Sequence, residues 1–213
     1  MVKILCALVV IFPALAFGSV FTFESDSKQV EGYVILPSKA PKALILYFHR
    51  AIEDREAVTE WAKLLGPQGY AVAGYTATSA DNVVEEAKKA VNSLRNQKEI
   101  ASLPIVVMGA SMGTKAASGL FAEQAEIRAL ILMVPGDAEN ICQAFSKAKG
   151  RPIFLIQADQ DQIVGAQSAA SIHQCLPKNA KYVLLKNTTH RFPPSQVSTE
   201  ISNWLKAVDT LHP

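Results

Sequence analysis

The sequence predicts an α/β fold with a mostly parallel, twisted sheet of about eight strands and helices on both faces. Short continuous apolar runs, typical of strands buried on both faces, recur along the chain. Most of them alternate with stretches of helical periodicity, and this alternation joins parallel strands through right-handed crossovers. In such a sheet, catalytic groups are expected on loops at the carboxyl ends of the strands.

In chain order, the elements predicted for the first half are strands over 20–23, 30–36 and 43–48, a helix over 54–65, and a strand over 70–75. The first two strands are expected to form a hairpin at the sheet edge. Gly66-Pro67 is a stop signal for the helix before it. Asp81 is a candidate cap for the next helix, whose core face holds Val84, Ala87, Val91 and Leu94.

In the second half, the predicted elements are a strand from Ile105, a helix over 114–122, a strand over 129–134, a short helix over 138–147, a strand over 152–157, a helix over 166–175 and a strand over 181–186. Pro193-Pro194 then leads into a final helix. Its apolar stripe is formed by Val197, Ile201, Trp204, Leu205 and Val208. Only about 17 residues separate the strands that end at Val134 and begin at Pro152, so no large cap is expected above the sheet.

The pentapeptide Gly109-Ala110-Ser111-Met112-Gly113 lies between a predicted strand and a predicted helix. A serine flanked by glycines two positions away on each side is the pattern of a nucleophile elbow. The turn is sharp enough that larger side chains at the glycine positions would collide with the strand or the helix. The alternative interpretation is an ordinary strand-to-helix turn with an idle serine.

Three further loops at strand ends carry residues that suit a serine nucleophile. They are His49-Arg50-Ala51, Asp159-Gln160-Asp161 and Thr188-Thr189-His190. A serine hydroxyl needs a base to take its proton, and histidine is suited because its pKa lies near neutral pH. A carboxylate behind the imidazole fixes its tautomer. The candidate carboxylates are those of Asp159, Asp161 and Asp137.

The order of elbow serine, aspartate and histidine, on this strand pattern, resembles the α/β-hydrolase fold family over about residues 20–209. The small dienelactone-hydrolase-like and esterase branches are the most similar. The resemblance implies a Ser111–His190–Asp161 triad that hydrolyses esters, thioesters or amides. It selects Asp161 because residues 158–164 match the family pattern G-x-x-D-x-x-V, with Ala158 for the glycine. Asp159 is then expected to tether a loop, and Asp137 to cap a helix.

The same resemblance implies an oxyanion hole made by the backbone N–H groups of Met112 and Ala51. Arg50 stands where relatives often have glycine, and His49 is expected to brace the loop from below. Arg50 and Arg191 are also candidate substrate-binding residues for a carboxylate or phosphate group, since both neighbour the presumed site. The alternative for both is a solvated loop arginine.

The composition bounds the function further. The 213 residues are 49% hydrophobic and 19% charged, as in an ordinary globular domain, and they suffice for one domain. The net charge of +2, without a basic run, does not suggest nucleic acid as a partner. Because no metal or cofactor motif is present, we expect no cofactor. The family resemblance implies a small-molecule ester as the substrate. The sequence does not specify the oligomeric state.

Residues 1–18 have the pattern of a secretory signal peptide: Lys3, an apolar run over 4–15, and the small-x-small ending Ala16-Phe17-Gly18. We expect cleavage near Gly18, a single mature domain over 19–213 without a stable membrane anchor, and a secreted or periplasmic location. The rival interpretation is an uncleaved anchor. Cys142 and Cys175 remain after cleavage, and they are expected either to form a disulfide or to be two buried thiols.

The sequence therefore predicts an exported serine hydrolase that cleaves ester or thioester bonds through an acyl-enzyme intermediate. Two alternatives remain. The first is a weakly active or inactive hydrolase-fold protein used for binding, which the replacements of glycine at Arg50 and Ala158 favour. The second is an amidase-like or peptidase-like hydrolase.

Overall fold

The computed structural model describes residues 18–208, which form one eight-stranded sheet in the order β1-β2-β4-β3-β5-β6-β7-β8. The strands are β1 (Gly18–Ser25), β2 (Lys28–Ile35), β3 (Ala43–Phe48), β4 (Tyr70–Tyr75), β5 (Ile105–Ala110), β6 (Ile127–Met133), β7 (Ile153–Ala158) and β8 (Lys181–Leu185). As predicted, β1 and β2 form an antiparallel hairpin at one edge. β2 is also antiparallel to β4, and all remaining neighbours are parallel.

In the described part of the chain, six α-helices cover this sheet: α1 (Ala57–Leu65), α2 (Val83–Arg95), α3 (Gly113–Glu123), α4 (Ala138–Ser146), α5 (Ala166–Gln174) and α6 (Ser198–Ala207). Helices α1 and α6 pack on one face, and α2 to α5 pack on the other. Between β6 and β7 the chain forms only the nine-residue helix α4, so within residues 18–208 this connection contributes no large cap. The predicted fold class is confirmed.

Strand β3 shows why the central strands are continuously apolar. All six of its residues are buried. Leu44, Leu46 and Phe48 pack under α2 and α3, whereas Ala43, Ile45 and Tyr47 pack under α1 and α6. Successive side chains of a strand point to opposite faces, so a strand covered on both sides needs apolar residues at every position.

Helix boundaries differ from the predictions where local hydrogen bonds compete with the helix. The Asp54 carboxylate accepts the Glu56 N–H (2.9 Å), and α1 begins at Ala57 rather than at residue 54. A 3₁₀ turn follows α1 and ends at Gly69, whose φ of 92° only glycine adopts readily. Asp81 does not cap α2, because Asn82 occupies that position without a side-chain cap bond.

The predicted signal peptide, residues 1–18, lies outside the described residues except for Gly18, the first residue of β1. Residues 209–213 also lie outside them. Among the described residues, no helix combines the length and apolar content that crossing a membrane requires.

A disulfide joins Cys142 in α4 to Cys175, the residue after α5, with the Cα atoms 5.6 Å apart. Helix α5 buries a single residue, Ile172, in the core. The disulfide therefore fastens a helix that hydrophobic packing alone holds weakly, and this helix follows the loop that carries Asp161.

Replacing both Cys142 and Cys175 with serine is expected to lower the free energy of unfolding by about 2–4 kcal/mol, because the unfolded chain loses a loop constraint. Urea unfolding, followed by circular dichroism, measures this. Treating the wild-type protein with reductant should produce the same loss, and the serine variant should not respond to reductant. An unchanged midpoint in both experiments would contradict a stabilising disulfide.

Candidate active site

Ser111 lies on a sharp bend between the end of β5 at Ala110 and the start of α3 at Gly113. Its φ angle is 51°, in the left-handed region that residues other than glycine rarely adopt. The Ser111 N–H donates to the Met133 carbonyl oxygen (2.9 Å), which ties the bend to the end of β6. The strained bend places the hydroxyl at the carboxyl edge of the sheet, as an elbow requires.

The two glycines of the elbow are required sterically. A Cβ atom on Gly109 would lie 2.6 Å from the Gly113 carbonyl oxygen. A Cβ atom on Gly113 would lie 2.1 Å from the Phe48 carbonyl oxygen. Both distances are far inside van der Waals contact with backbone atoms, which cannot move aside as a side chain can. This confirms the steric reason for glycine two positions before and after Ser111.

Replacing Gly113 with alanine is therefore expected to force β3 and α3 apart and to destabilise the fold by roughly 1–3 kcal/mol, the usual cost of overpacking. Thermal unfolding measures the change. The matched control is Gly165→Ala, because a Cβ atom there meets no atom within 4 Å and Gly165 has a negative φ. Equal melting temperatures for the two variants would contradict the close contact at Gly113.

Ser111, His190 and Asp161 form a connected chain of side chains. His190 Nε2 lies 2.8 Å from Ser111 Oγ, and His190 Nδ1 lies 2.7 Å from Asp161 Oδ2. Because a carboxylate only accepts hydrogen bonds, Nδ1 carries the proton, and the free lone pair on Nε2 faces the serine hydroxyl. The imidazole is buried, so water competes little for these bonds.

The carboxylate of Asp161 is fixed by its own loop. Its Oδ1 accepts the N–H groups of Ile163 and Val164, both at 2.9 Å. This leaves Oδ2 for His190, and the imidazole is thereby oriented from behind.

The other two candidate carboxylates have structural positions. Asp159 is exposed, and its Oδ1 accepts the Thr188 N–H at 3.2 Å. That backbone bond holds the pKa of Asp159 below its usual value and ties the Asp161 loop to the His190 loop. Asp137 caps α4 by accepting the Asn140 N–H (3.2 Å). The expected loop tether and helix cap are both confirmed.

The loop after β3 fixes the direction of one backbone N–H. The Arg50 carbonyl oxygen accepts from His49 Nδ1 (2.7 Å) and from the Glu53 N–H (3.0 Å). In a planar trans peptide the N–H points away from the carbonyl, so these bonds also orient the Ala51 N–H. The Arg50 N–H is already engaged with Glu53 Oε2 (3.1 Å). His49 is thus the expected brace of this loop.

One backbone N–H next to Ser111 in sequence and one in the loop after β3 remain available. Within residues 18–208, neither the Ala51 N–H nor the Met112 N–H donates a hydrogen bond. The end of β3 and the start of α3 lie in contact, because a Cβ atom added to Gly113 would collide with the carbonyl oxygens of Phe48 and His49. Met112 follows Ser111 at the start of α3, where the helix dipole favours negative charge.

The structure does not support Arg50 as a substrate-binding residue. Its side chain is 8% exposed, and Nη1 pairs with Glu53 Oε1 at 2.8 Å. Nη2 donates to the Phe192 carbonyl oxygen (3.2 Å), and the guanidinium lies 5.2 Å from the centre of the Phe192 ring. Arg50 therefore links the β3 loop to the residues after His190, and it is unavailable to a substrate. Arg191 is exposed, and its role in substrate binding stays a prediction.

Glu53 is the centre of this partly buried network. Besides Arg50 it accepts from Tyr47 Oη (2.9 Å). Burial acts to raise the pKa of Glu53, but the hydrogen bonds and charge of Arg50 outweigh it and leave the pKa below the ordinary value. Burial and the nearby Glu53 charge raise the pKa of Tyr47, which keeps the phenol protonated as a donor.

The lowered pKa of Glu53 predicts a pH-dependent stability. Because the unfolded chain binds the proton more tightly, the contribution of Glu53 is present above its unfolded pKa, near 4.5, and is lost as pH falls through the lower folded pKa. Comparing the free energy of unfolding of wild type and Glu53→Gln between pH 3 and 7 measures this. The difference should shrink as pH falls below about 4.5. A constant difference would contradict the proposed ion pair.

Sequence reasoning missed Glu53 and Phe192 as parts of the site's scaffold. The spacing of Glu53 three residues after Arg50 was the available signal, since such a pair can close a turn. Nothing in the sequence indicated that Phe192 would meet Arg50, because the two residues are 142 positions apart. Among the described residues, no group of three or more His, Cys, Asp or Glu side chains is arranged to hold a metal ion.

The site is open and its rim is partly apolar. Ile52, Met112 and Ile163 are exposed large hydrophobic side chains, at 65%, 40% and 62%. Each stands within two residues of Ala51, Ser111 or Asp161. The surroundings of Ser111 therefore offer apolar contact at the surface rather than a deep tunnel.

Comparison with known proteins agrees with this architecture. A sequence profile of the alpha/beta hydrolase family matches residues 43–192. The esterase domain of a Rhodothermus marinus protein is 22% identical, with a TM-score of 0.73 over 91% of this chain and 98% of that chain. A cold-adapted esterase from an Arctic intertidal metagenomic library is 18% identical, with a TM-score of 0.78 over 90% and 93% of the two chains. Est1E from Butyrivibrio proteoclasticus is 15% identical, with a TM-score of 0.75 over 88% and 98%.

At these identities the solved structures show a shared fold. Comparison with curated protein sequences finds no match. The narrower resemblance to the dienelactone-hydrolase-like branch stays a prediction. The family profile covers more than half of the sequence, in the region that carries the elbow, the acid loop and the histidine loop. The chain therefore belongs to the alpha/beta hydrolase family.

Proposed function

We propose that this protein is an exported serine hydrolase that cleaves carboxylic esters or thioesters through a Ser111–His190–Asp161 triad. The observation that carries the proposal is the unbroken contact from Asp161 through the buried His190 imidazole to the Ser111 hydroxyl. This is the arrangement that lets a weakly acidic hydroxyl lose its proton at neutral pH.

In the proposed reaction, Ser111 Oγ attacks the substrate carbonyl carbon while His190 Nε2 takes its proton. The carbonyl oxygen becomes an oxyanion, and Asp161 stabilises the imidazolium. When the tetrahedral intermediate collapses, the bond to the leaving group breaks and His190 protonates that group. Water then attacks the acyl-enzyme with help from the same histidine, releasing the acid and restoring Ser111.

The Met112 and Ala51 N–H groups are the proposed oxyanion donors. Both are free of other hydrogen bonds within the described chain. The peptide group that joins Arg50 to Ala51 is held by two hydrogen bonds to the Arg50 carbonyl oxygen. Preorganised donors of this kind stabilise developing charge without rearranging, and losing one typically costs about 10²- to 10³-fold in turnover.

Export is proposed from the signal-peptide pattern and is supported by the disulfide between Cys142 and Cys175. Disulfides persist in oxidising compartments and are rare in the cytosol. The intact mass of the exported protein tests this. A mass that corresponds to a chain beginning near Ser19 supports export with cleavage, and a mass that includes Met1 contradicts cleavage.

The open rim suits small esters, or an accessible ester group on a larger molecule. The test is a panel of p-nitrophenyl esters, matched thioesters and anilides of increasing acyl length. Turnover of esters or thioesters well above anilides supports the proposal. A pre-steady-state burst of nitrophenol equal to the enzyme concentration supports the acyl-enzyme. Preference for anilides indicates an amidase, and no turnover of any compound indicates a binding protein.

A further inference from the structure

A pocket of about 460 Å³ lies between α5 and β8, and Asp161 is among its lining residues. We call it the α5–β8 pocket. It is lined by Val134, Pro135, Gln157, Ala158, Asp159, Asp161, Val164, Ala166, Ala169, Ala170, His173, Gln174, Tyr182 and Leu184. Ser111 and His190 are not among its lining residues, so the pocket adjoins the proposed triad only through Asp161.

The walls of the pocket are apolar and aromatic. Helix α5 presents three alanines besides His173 and Gln174, and the short alanine side chains leave space open. On the opposite wall, Tyr182 and Leu184 of β8 project to the same side of the sheet, because they are two positions apart. The Tyr182 ring lies edge-on to His173, with centroids 4.7 Å apart. Aromatic walls of this kind favour a planar ring as the occupant.

The floor of the pocket carries a fixed polar group. Gln157 is buried, and its Oε1 accepts from Tyr182 Oη (3.0 Å) while its Nε2 donates to the Ala169 carbonyl oxygen (3.2 Å). The phenol oxygen of Tyr182 keeps a lone pair for an occupant. A mostly apolar pocket of this volume, with a few fixed polar groups, has the composition of small-molecule sites.

The backbone at one wall is strained. Val134 follows β6 with a φ of 46°, a conformation that β-branched residues avoid, and it is buried. Its N–H donates to the Ile156 carbonyl oxygen (2.8 Å), which holds the strained turn in place. Strained residues cluster at binding and catalytic sites. This turn brings Val134 and Pro135 into the wall of the pocket.

The charges at the pocket select the ligand. Its lining includes the acidic residues Asp159 and Asp161 and includes no lysine or arginine. An anion there would face like charge, which disfavours binding. We infer that the α5–β8 pocket binds a compact aromatic group without negative charge.

The pocket also contacts the residue that fixes the acid of the proposed triad. Val164 lines it, and the Val164 N–H donates to Asp161 Oδ1 (2.9 Å).

The aromatic group has two chemical sources, an aromatic part of the ester substrate or a free aromatic molecule that binds apart from the substrate. The first source rests on the proposed function, whereas the second does not.

Binding is tested on the Ser111→Ala protein, which separates it from hydrolysis. The probes are 2-naphthylmethanol and 2-naphthoate, which match in shape and differ in charge. We expect 2-naphthylmethanol to bind with a Kd of about 1 mM and to shift the amide NMR signals of α5 and Leu184. The naphthoate should bind at least about 5-fold more weakly because of Asp159 and Asp161.

Two variants in that background test the location. Ala169→Phe fills the pocket, and Leu184→Glu adds a negative charge at a position that is 37% exposed and tolerates it. Each should weaken binding of the alcohol at least about 10-fold. The control Ala207→Phe adds the same ring to an exposed position of α6 and should leave Kd unchanged. Absence of saturable binding, equal affinity for both probes, or binding that survives both pocket variants would overturn the inference.

The source of the aromatic group is identified by measuring how 2-naphthylmethanol changes the hydrolysis of p-nitrophenyl acetate by the wild-type enzyme. If 2-naphthylmethanol raises only the KM, the pocket holds an aromatic part of the substrate. If it changes kcat, or changes neither constant, the pocket holds a free aromatic molecule. A protein that binds the probe but hydrolyses no ester would refute the proposed function and leave this inference standing.

Discussion

Replacing Ser111 with alanine is expected to lower kcat on p-nitrophenyl esters by about 10⁴- to 10⁶-fold, because the attacking oxygen is removed. The KM should change little, since the substrate contacts of the open rim remain. The free energy of unfolding should not fall, because removing the hydroxyl breaks only the bond to His190 and leaves the core unchanged.

The matched control is Ser118→Ala in α3, the helix that follows Ser111. Ser118 is buried, and its hydroxyl donates only to the carbonyl oxygen of Lys115 (3.3 Å), one turn earlier. Its loss should change kcat by less than about 3-fold. Similar activity in Ser111→Ala and wild type would show that ester cleavage, if present, occurs elsewhere.

Replacing Asp161 with asparagine is expected to lower kcat by about 10⁴-fold. The amide keeps the size of the carboxylate, but its NH₂ group can donate to His190 Nδ1 and so favour the wrong tautomer. It also removes the charge that stabilises the imidazolium. The pH dependence of kcat/KM should change with it, which a purely structural role for Asp161 would not produce.

Asp159→Asn is the control for this experiment, since the two aspartates share one loop. Asp159 contacts the Thr188 backbone and not the imidazole. Its replacement weakens a loop tether at the surface and should cost less than about 10-fold in kcat. If Asp159→Asn were the more damaging of the two, the assignment of the acid would be wrong.

The candidate site was predictable where its signals are local. The elbow is recognisable because steric crowding at Gly109 and Gly113 acts within a few residues of Ser111. The central strands are recognisable because burial on both faces leaves an uninterrupted apolar run. Selecting Asp161 over Asp159 needed the family register, because both follow β7 and nothing local separates them.

The parts that sequence reasoning could not supply depend on distant contacts. Arg50 looked like a binding residue beside the site, but the Phe192 carbonyl and ring, together with Glu53, bury it. The α1 start is an exception with a local cause, since Asp54 bonds the N–H of Glu56 instead of continuing the helix. The α5–β8 pocket was not visible either, since it arises where short α5 side chains face the last strand.

The most direct test of the proposed mechanism is covalent labelling with a fluorophosphonate, followed by mass spectrometry of the peptides. Such a probe phosphonylates a serine only when a neighbouring base activates it. We expect one label per chain, located on Ser111, with labelling abolished in His190→Ala and retained in Ser118→Ala. Labelling that is absent from the folded wild-type protein, or that falls on another serine, would contradict an activated nucleophile at the elbow.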